Sequence, residues 1–146
     1  MNRLLRFIRR QEFTPGLFGL FVNPFYFARR NLYRHVRALA PELSGKLLDV
    51  GCGRKPYREF FNVTEYVGLD IENSGHNHTS EDIDVFYDGK TFPFENASFD
   101  AVICSQVLEH VFLPDAFLTE INRVLKKSGK MLLTVPFVWD EHEQPY

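Results

Sequence analysis

Seven residues, Leu47-Leu48-Asp49-Val50-Gly51-Cys52-Gly53, join an apolar run to an acid and two glycines. An apolar run of that length reads as a strand. Glycines at its end let the backbone turn tightly, approach a ligand closely and open the next helix. Asp49 lies two residues before the first glycine, where a carboxylate can meet an ammonium group or hold the loop. Nineteen residues after Gly51, Asp70 closes a second apolar run, Glu65–Asp70. An acid there can accept hydrogen bonds from both hydroxyls of a ribose; the competing reading is an ordinary strand-end acid. A dinucleotide is the rival ligand, with the fingerprint Gly-x-Gly-x-x-Gly under its pyrophosphate. Here Pro56 stands at the third glycine position, removing an N–H donor and adding bulk. An acid at position 49 also suits a cationic group better than a pyrophosphate. The residues favour a nucleoside with a zwitterionic tail.

Other side chains carry weaker signals. Glu109 and His110 follow a later strand and are candidate general bases, histidine being the better suited near neutral pH. Their competing readings are a helix-capping or arginine-paired Glu109 and a packed His110. His142, Glu143 and Tyr146 are either acceptor contacts or solvated loop residues. His76 and His78 lie in a polar loop without the Cys or acid cluster that a metal centre needs, so no metal is expected. Cys52 and Cys104 lack zinc-site spacing and cannot form a disulfide framework; free thiols are expected.

These residues need elements to position them. Apolar runs predict strands at Lys46–Val50, Glu65–Asp70, Asp84–Tyr87, Phe99–Cys104 and Lys130–Val135, with a short helix over Arg54–Phe61. Phe117, Ile121, Val124 and Leu125 predict a helix over Asp115–Lys127, closed by Gly129. Upstream, Asn23 as N-cap, Pro24 in the first turn and Pro41 as a stop bound another helix. Its predicted buried stripe is Phe25, Ala28, Leu32, Val36 and Leu39, flanked by Arg29, Arg30, Arg34 and Arg37. Leu4, Leu5, Phe7 and Ile8 among Arg3, Arg6, Arg9 and Arg10 predict a short basic amphipathic helix. Strands alternating with helices argue for a parallel sheet covered on both faces.

The segments Leu47–Gly53, Tyr66–Asp70, Phe92–Asp100, Ser105–Val111 and Leu125–Pro136 resemble, in order and interval, class I S-adenosylmethionine-dependent methyltransferases. The likeness spans about residues 44–136, and Gly51–Tyr57 and Val135–Tyr146 are most similar to small bacterial methyltransferase-domain proteins. It implies a Rossmann-like three-layer α/β/α sandwich, α/β in class, with parallel strand order 3-2-1-4-5. It also implies S-adenosylmethionine as cofactor. By the same resemblance, Asp49, Gly51, Cys52 and Gly53 form the loop under the methionine half and Asp70 binds the ribose. Ile71 flanks the adenine, Asp88 and Gly89 meet its edge, and Ser105 and Gln106 lie near the reacting methyl. Lys55 departs from the family, many members having glycine there, so its side chain must point away from the cofactor.

The 146 residues suffice for one domain. We read residues 1–45 as a basic arm and helix, and 46–146 as a partial methyltransferase core that lacks the family's usual final two strands. The missing strands would leave the fifth strand (Met131, Leu132, Leu133, Val135) as a bare edge, open to another chain. A fragment of a longer protein is the favoured explanation. Charge divides the same way: residues 1–46 carry nine basic groups against two acidic, and residues 47–146 eight against seventeen. No run reaches the roughly 18 apolar residues of a membrane span, and no signal-peptide core follows the first arginines. A cytoplasmic, reduced setting is expected, with membrane-peripheral contact through the arm as one reading; nucleic acid is not expected. Two functions are carried forward: methyl transfer to a small-molecule, sugar or lipid acceptor, or a cofactor-binding or assembly module inactive alone.

Overall fold

The computed structural model describes residues 16–72 and 82–136. The basic amphipathic segment, His76, His78, His142, Glu143 and Tyr146 lie outside that range. Five parallel strands form one sheet of order β3-β2-β1-β4-β5. They are β1 (Lys46–Val50), β2 (Glu65–Ile71), β3 (Val85–Tyr87), β4 (Phe99–Ser105) and β5 (Leu125–Thr134). Among the described residues the α-helices are α1 (Gly19–Val22), α2 (Tyr26–Leu39) and α3 (Pro114–Val124). The strand order and the parallel sheet agree with the sequence reading.

The side-chain period of two divides the core. Leu48, Val50, Val102 and Cys104 pack with Phe117, Ile121 and Val124 of α3. Their neighbours Leu47, Ala101 and Ile103 face the other way, against Val36 and Ala40 of α2 and its extension. Both faces of β1 and β4 are therefore dry, which is why these strands read as continuous apolar runs.

The largest differences from expectation lie at α2, at Arg54–Phe61 and at the junction of α3 with β5. α2 begins at Tyr26 because Asn23 closes a turn ahead of the helix: its side-chain Oδ1 accepts from Phe25 N–H at 2.9 Å, its carbonyl from Tyr26 N–H at 3.0 Å. Its buried positions are Tyr26 and Val36, whereas Phe25, Ala28 and Leu39 of the predicted stripe are exposed. The helix predicted over Arg54–Phe61 is a set of turns with one 3-10 turn, Arg58–Phe60. α3 ends at Val124 because Ala97 and Ser98 N–H groups take the carbonyls of Arg123 and Val124, both at 2.9 Å. Leu125 then already pairs with Phe99, and the ladder resumes at Lys130 opposite Ala101. Gly129 is thus no helix cap. It sits in the bulge, where a Cβ would come within 3.0 Å of the Asp100 carbonyl and closer to Leu125.

Candidate active site

The carboxyl ends of β1, β2 and β4 bring most of the candidate residues to one edge, where open parallel sheets bind ligands. The chain leaves β1 through Gly51 (φ +71°), Gly53 (φ +47°) and Lys55 (φ +49°). Gly51 is held by geometry as well as φ, since a Cβ there would lie 2.3 Å from Val107 Cγ2. At Gly53 a Cβ would meet nothing within 4 Å, so that face of the turn is open.

The turn's amides point inward. Gly51 and Cys52 N–H donate to the Leu69 carbonyl at 2.8 and 3.2 Å, and Lys55 N–H to that of Cys52 at 2.7 Å. Gly53 N–H donates to Asp70 Oδ2 at 2.8 Å, and Ile71 N–H to Asp70 Oδ1 at 2.8 Å. Asp70 is thereby fixed at the end of β2, with a further lone pair on each oxygen for an outside donor. A pyrophosphate needs loop N–H groups turned outward. Four of this loop's are committed inside the protein, and the carboxylate is the group on offer. The arrangement fits a ribose-bearing ligand and fits a dinucleotide poorly.

Beside Asp70, Ile71 and Gly89 meet: a Cβ on Gly89, whose φ is +80°, would lie 2.9 Å from Ile71 Cδ1. Asp88 is exposed and accepts from Lys90 and Thr91 N–H at 2.9 and 3.0 Å, bonds that hold its carboxyl below the usual range. At the end of β4, Ser105 Oγ and Thr134 Oγ1 are 2.9 Å apart. Gln106 has φ +59°, unusual for a side-chain-bearing residue; its backbone N–H donates to the Thr134 carbonyl at 2.9 Å and its Nε2 to Thr134 Oγ1 at 3.3 Å. The 3-10 turn Leu108–His110 follows, with Glu109 exposed and His110 half-buried.

Asp49 is turned under the edge rather than out of it. It is buried on the α2 side of the sheet, where Tyr66 Oη donates to its Oδ2 at 2.5 Å. Burial pushes its carboxyl up to about 7, the Tyr66 bond and Lys55 opposing and Asp70 adding to the rise. Directly across the β1–β2 ladder stands Gly68. The space a side chain would fill there holds Lys55 Cε and Cys52 Sγ. Lys55 Nζ then reaches Asp84 Oδ2 at 2.7 Å and Asp82 Oδ2 at 3.7 Å. The lysine keeps a glycine-like backbone while its side chain turns toward β3. Burial raises the thiols of Cys52 and Cys104, the latter to about 12, and both are free.

Sequence reasoning missed four contributors. Tyr66 bonds Asp49, Tyr57 is buried on the same side of the sheet, Arg29 of α2 lies beside Tyr57, and Thr134 anchors the β4 exit. Thr134 had a legible signal, being the polar residue that ends an apolar strand. The two tyrosines and Arg29 had none, because only the fold brings them to the α2 side of the sheet. A separate polar hollow of about 250 Å³, lined by Glu42, Ser44, Asp100 and Ser128 among others, opens at the amino end of β4, away from this edge.

A family model described as a methyltransferase domain matches residues 48–133. The fatty-acid O-methyltransferase of Mycolicibacterium smegmatis is 32% identical over 70% of this chain and 41% of its own. Phthiotriol/phenolphthiotriol dimycocerosates methyltransferase 1 of Mycobacterium ulcerans is 35% identical over 71% and 42%. The methyltransferase solved with the Haloferax volcanii Trm112 methyltransferase activator superposes with a TM-score of 0.59 at 23% identity, over 76% of this chain and 54% of that one. This chain thus spans about half the length of the relatives it matches, or less. The matched segment runs from β1 to β5 and contains the glycine turn, Asp70 and the β4 exit, so the chain belongs to the class I S-adenosylmethionine-dependent methyltransferase-domain family.

Proposed function

We propose that the protein transfers a methyl group from S-adenosylmethionine to an oxygen on a lipid-like acceptor. The observation that carries this is Asp70, pinned by two backbone N–H groups beside an open glycine turn and the Ile71–Gly89 contact. Asp70 takes the ribose hydroxyls, Ile71 and Gly89 the adenine, and Asp88 orders the turn that carries Gly89. Asp49, Gly51, Cys52 and Gly53 lie under the methionine half, and Ser105 and Gln106 border the reacting centre. When bound, the cofactor supplies an electrophilic methyl group on a cationic sulfur. This chain's residues then have two tasks, holding the reactants in line and excluding water. His110, at the end of the 3-10 turn, accepts the acceptor hydroxyl's proton on a ring nitrogen, and Glu109 sets the local charge. The lipid class is favoured by two relatives named for fatty-acid and phthiotriol dimycocerosate substrates.

The alternative is a cofactor-binding module without activity of its own. Radiolabelled methyl transfer to a panel of fatty acids, prenylated phenols and sugars decides between them. We expect labelled lipid, with kcat reduced at least about a hundredfold in His110→Ala while cofactor affinity is kept. Cofactor binding with no labelled product from any class would favour the second reading.

A further inference from the structure

The edge that carries the candidate site is also the greasiest surface among the described residues. Leu17, Phe21 and Phe27, at the start of α1 and α2, are mostly exposed, Phe21 at 82% and Phe27 at 72%, and Leu20 is half-exposed. A second segment, Phe112 and Leu113 after the 3-10 turn, is 80% and 72% exposed.

Topology brings the two segments to the same edge. α2 passes through Ala40–Glu42 into the amino end of β1, so its own amino end lies toward the carboxyl end of that strand. Arg29 beside Tyr57 and the Tyr33–Phe60 ring contact at 5.1 Å confirm that direction, since both partners follow the glycine turn. Phe112 and Leu113 follow β4 at its carboxyl end. Scattered apolar residues are ordinary on a protein surface, but large side chains gathered from two segments mark an interaction site.

Charge selects the occupant. Between Phe13 and Pro41 the sequence has four arginines and no acid. Arg29, Arg30, Arg34 and Arg37 all lie on α2, Arg29 and Arg30 within its first five residues beside the exposed aromatics and Arg34 and Arg37 further along it. A second copy bound face to face would set the two rows of arginine together, at a repulsive cost. An anionic lipid surface satisfies both features, apolar side chains entering the acyl boundary and arginines meeting headgroup phosphates. We propose that the carboxyl edge of the sheet docks on an anionic bilayer, through the α1–α2 start and Phe112–Leu113 and with α2 supplying the charge. Docking in that orientation presents the site's mouth to the membrane.

Co-sedimentation of the 146-residue chain with phosphatidylcholine vesicles, with and without phosphatidylglycerol, tests this. The chain should bind the anionic vesicles and release in high salt. Phe21→Ser with Phe27→Ser, Phe112→Ser with Leu113→Ser, and Arg34→Glu with Arg37→Glu should each lower partitioning by about tenfold. These positions are exposed, so circular dichroism should stay unchanged. Equal binding to neutral and anionic vesicles would overturn the proposal. So would full binding by the Phe112/Leu113 variant, which would leave the arm alone as the anchor. A concentration-dependent dimer abolished by Phe21→Ser with Phe27→Ser, without vesicle binding, would assign the face to a second copy.

Discussion

A carboxyl group buried in a sheet and answered by a tyrosine hydroxyl is in tension with ionisation, and Asp49 is such a group. Its pKa in the folded chain is near 7 against an ordinary 3.8. The folded state therefore holds a proton that the unfolded chain gives up as pH rises from about 4 to about 7, and stability falls across that window. Below it the cost is absent; above it the cost is complete, on the order of 4 kcal/mol if the full shift is realised. Asp49→Asn keeps an acceptor for Tyr66 without the charge. Urea unfolding at several pH values should show a flatter slope for the variant between about pH 4 and pH 7. The glycines make a paired prediction. Gly51→Ala adds a methyl against Val107 in a left-handed conformation and should cost about 3 kcal/mol. Gly53→Ala meets no neighbour and should cost about 1 kcal/mol, the backbone penalty alone. Equal unfolding midpoints for the two would contradict the assignment of Val107 as the limiting contact.

At the scale of elements, one arginine ties the loop after β3 to the back of α3. Arg123 donates to the carbonyls of Phe92 and Phe94, to Asn96 and to both oxygens of Glu120, at 2.8 to 2.9 Å. Glu120 in turn accepts from Phe92 N–H at 2.8 Å. The loop so held carries Asp88 and Gly89 at its start. Arg123→Met should destabilise the chain by about 2 kcal/mol and speed amide exchange at Phe92 and Phe94 before the sheet opens. Lys55 offers a second contrast. Lys55→Gly and Lys55→Ala both lose the Asp84 bridge, but only alanine keeps a Cβ at φ +49°. The glycine variant should be the more stable by about 1 kcal/mol in thermal unfolding.

These elements also show what a sequence makes visible. β1 and β4 were legible because burial on both faces leaves an unbroken apolar run. The turn at Gly51–Gly53 was legible because glycine serves a backbone need there, and Asp70 because an acid closes the second apolar run at a fixed spacing. The end of α3 was not, because Ala97 and Ser98, distant in sequence, take its last carbonyls while Lys126, Lys127 and Gly129 imitate a local stop. The buried face of α2 was read only in part for a similar reason. Packing with Leu47 and Ile103 took Val36 and, in part, Leu32 of the predicted stripe together with Ala40 beyond the helix, whereas the apolar Phe25, Ala28 and Leu39 lie exposed. Asp49 was recognised as a candidate, but its Tyr66 partner depends on the β1–β2 register.

For the whole molecule, family, strand order and site edge converge on one claim, that this chain binds S-adenosylmethionine at the carboxyl ends of β1 and β2. The basic, apolar surface beside that edge bears on where the protein works and the claim does not depend on it. The most direct test is calorimetric titration of the chain with S-adenosylmethionine and its demethylated product, in parallel with NADH and with Asp70→Ala. The account predicts saturable binding of both sulfur ligands, loss of at least about tenfold in affinity in the variant, and no binding of NADH. Affinity unchanged in a folded Asp70→Ala chain, or preference for NADH, would contradict it.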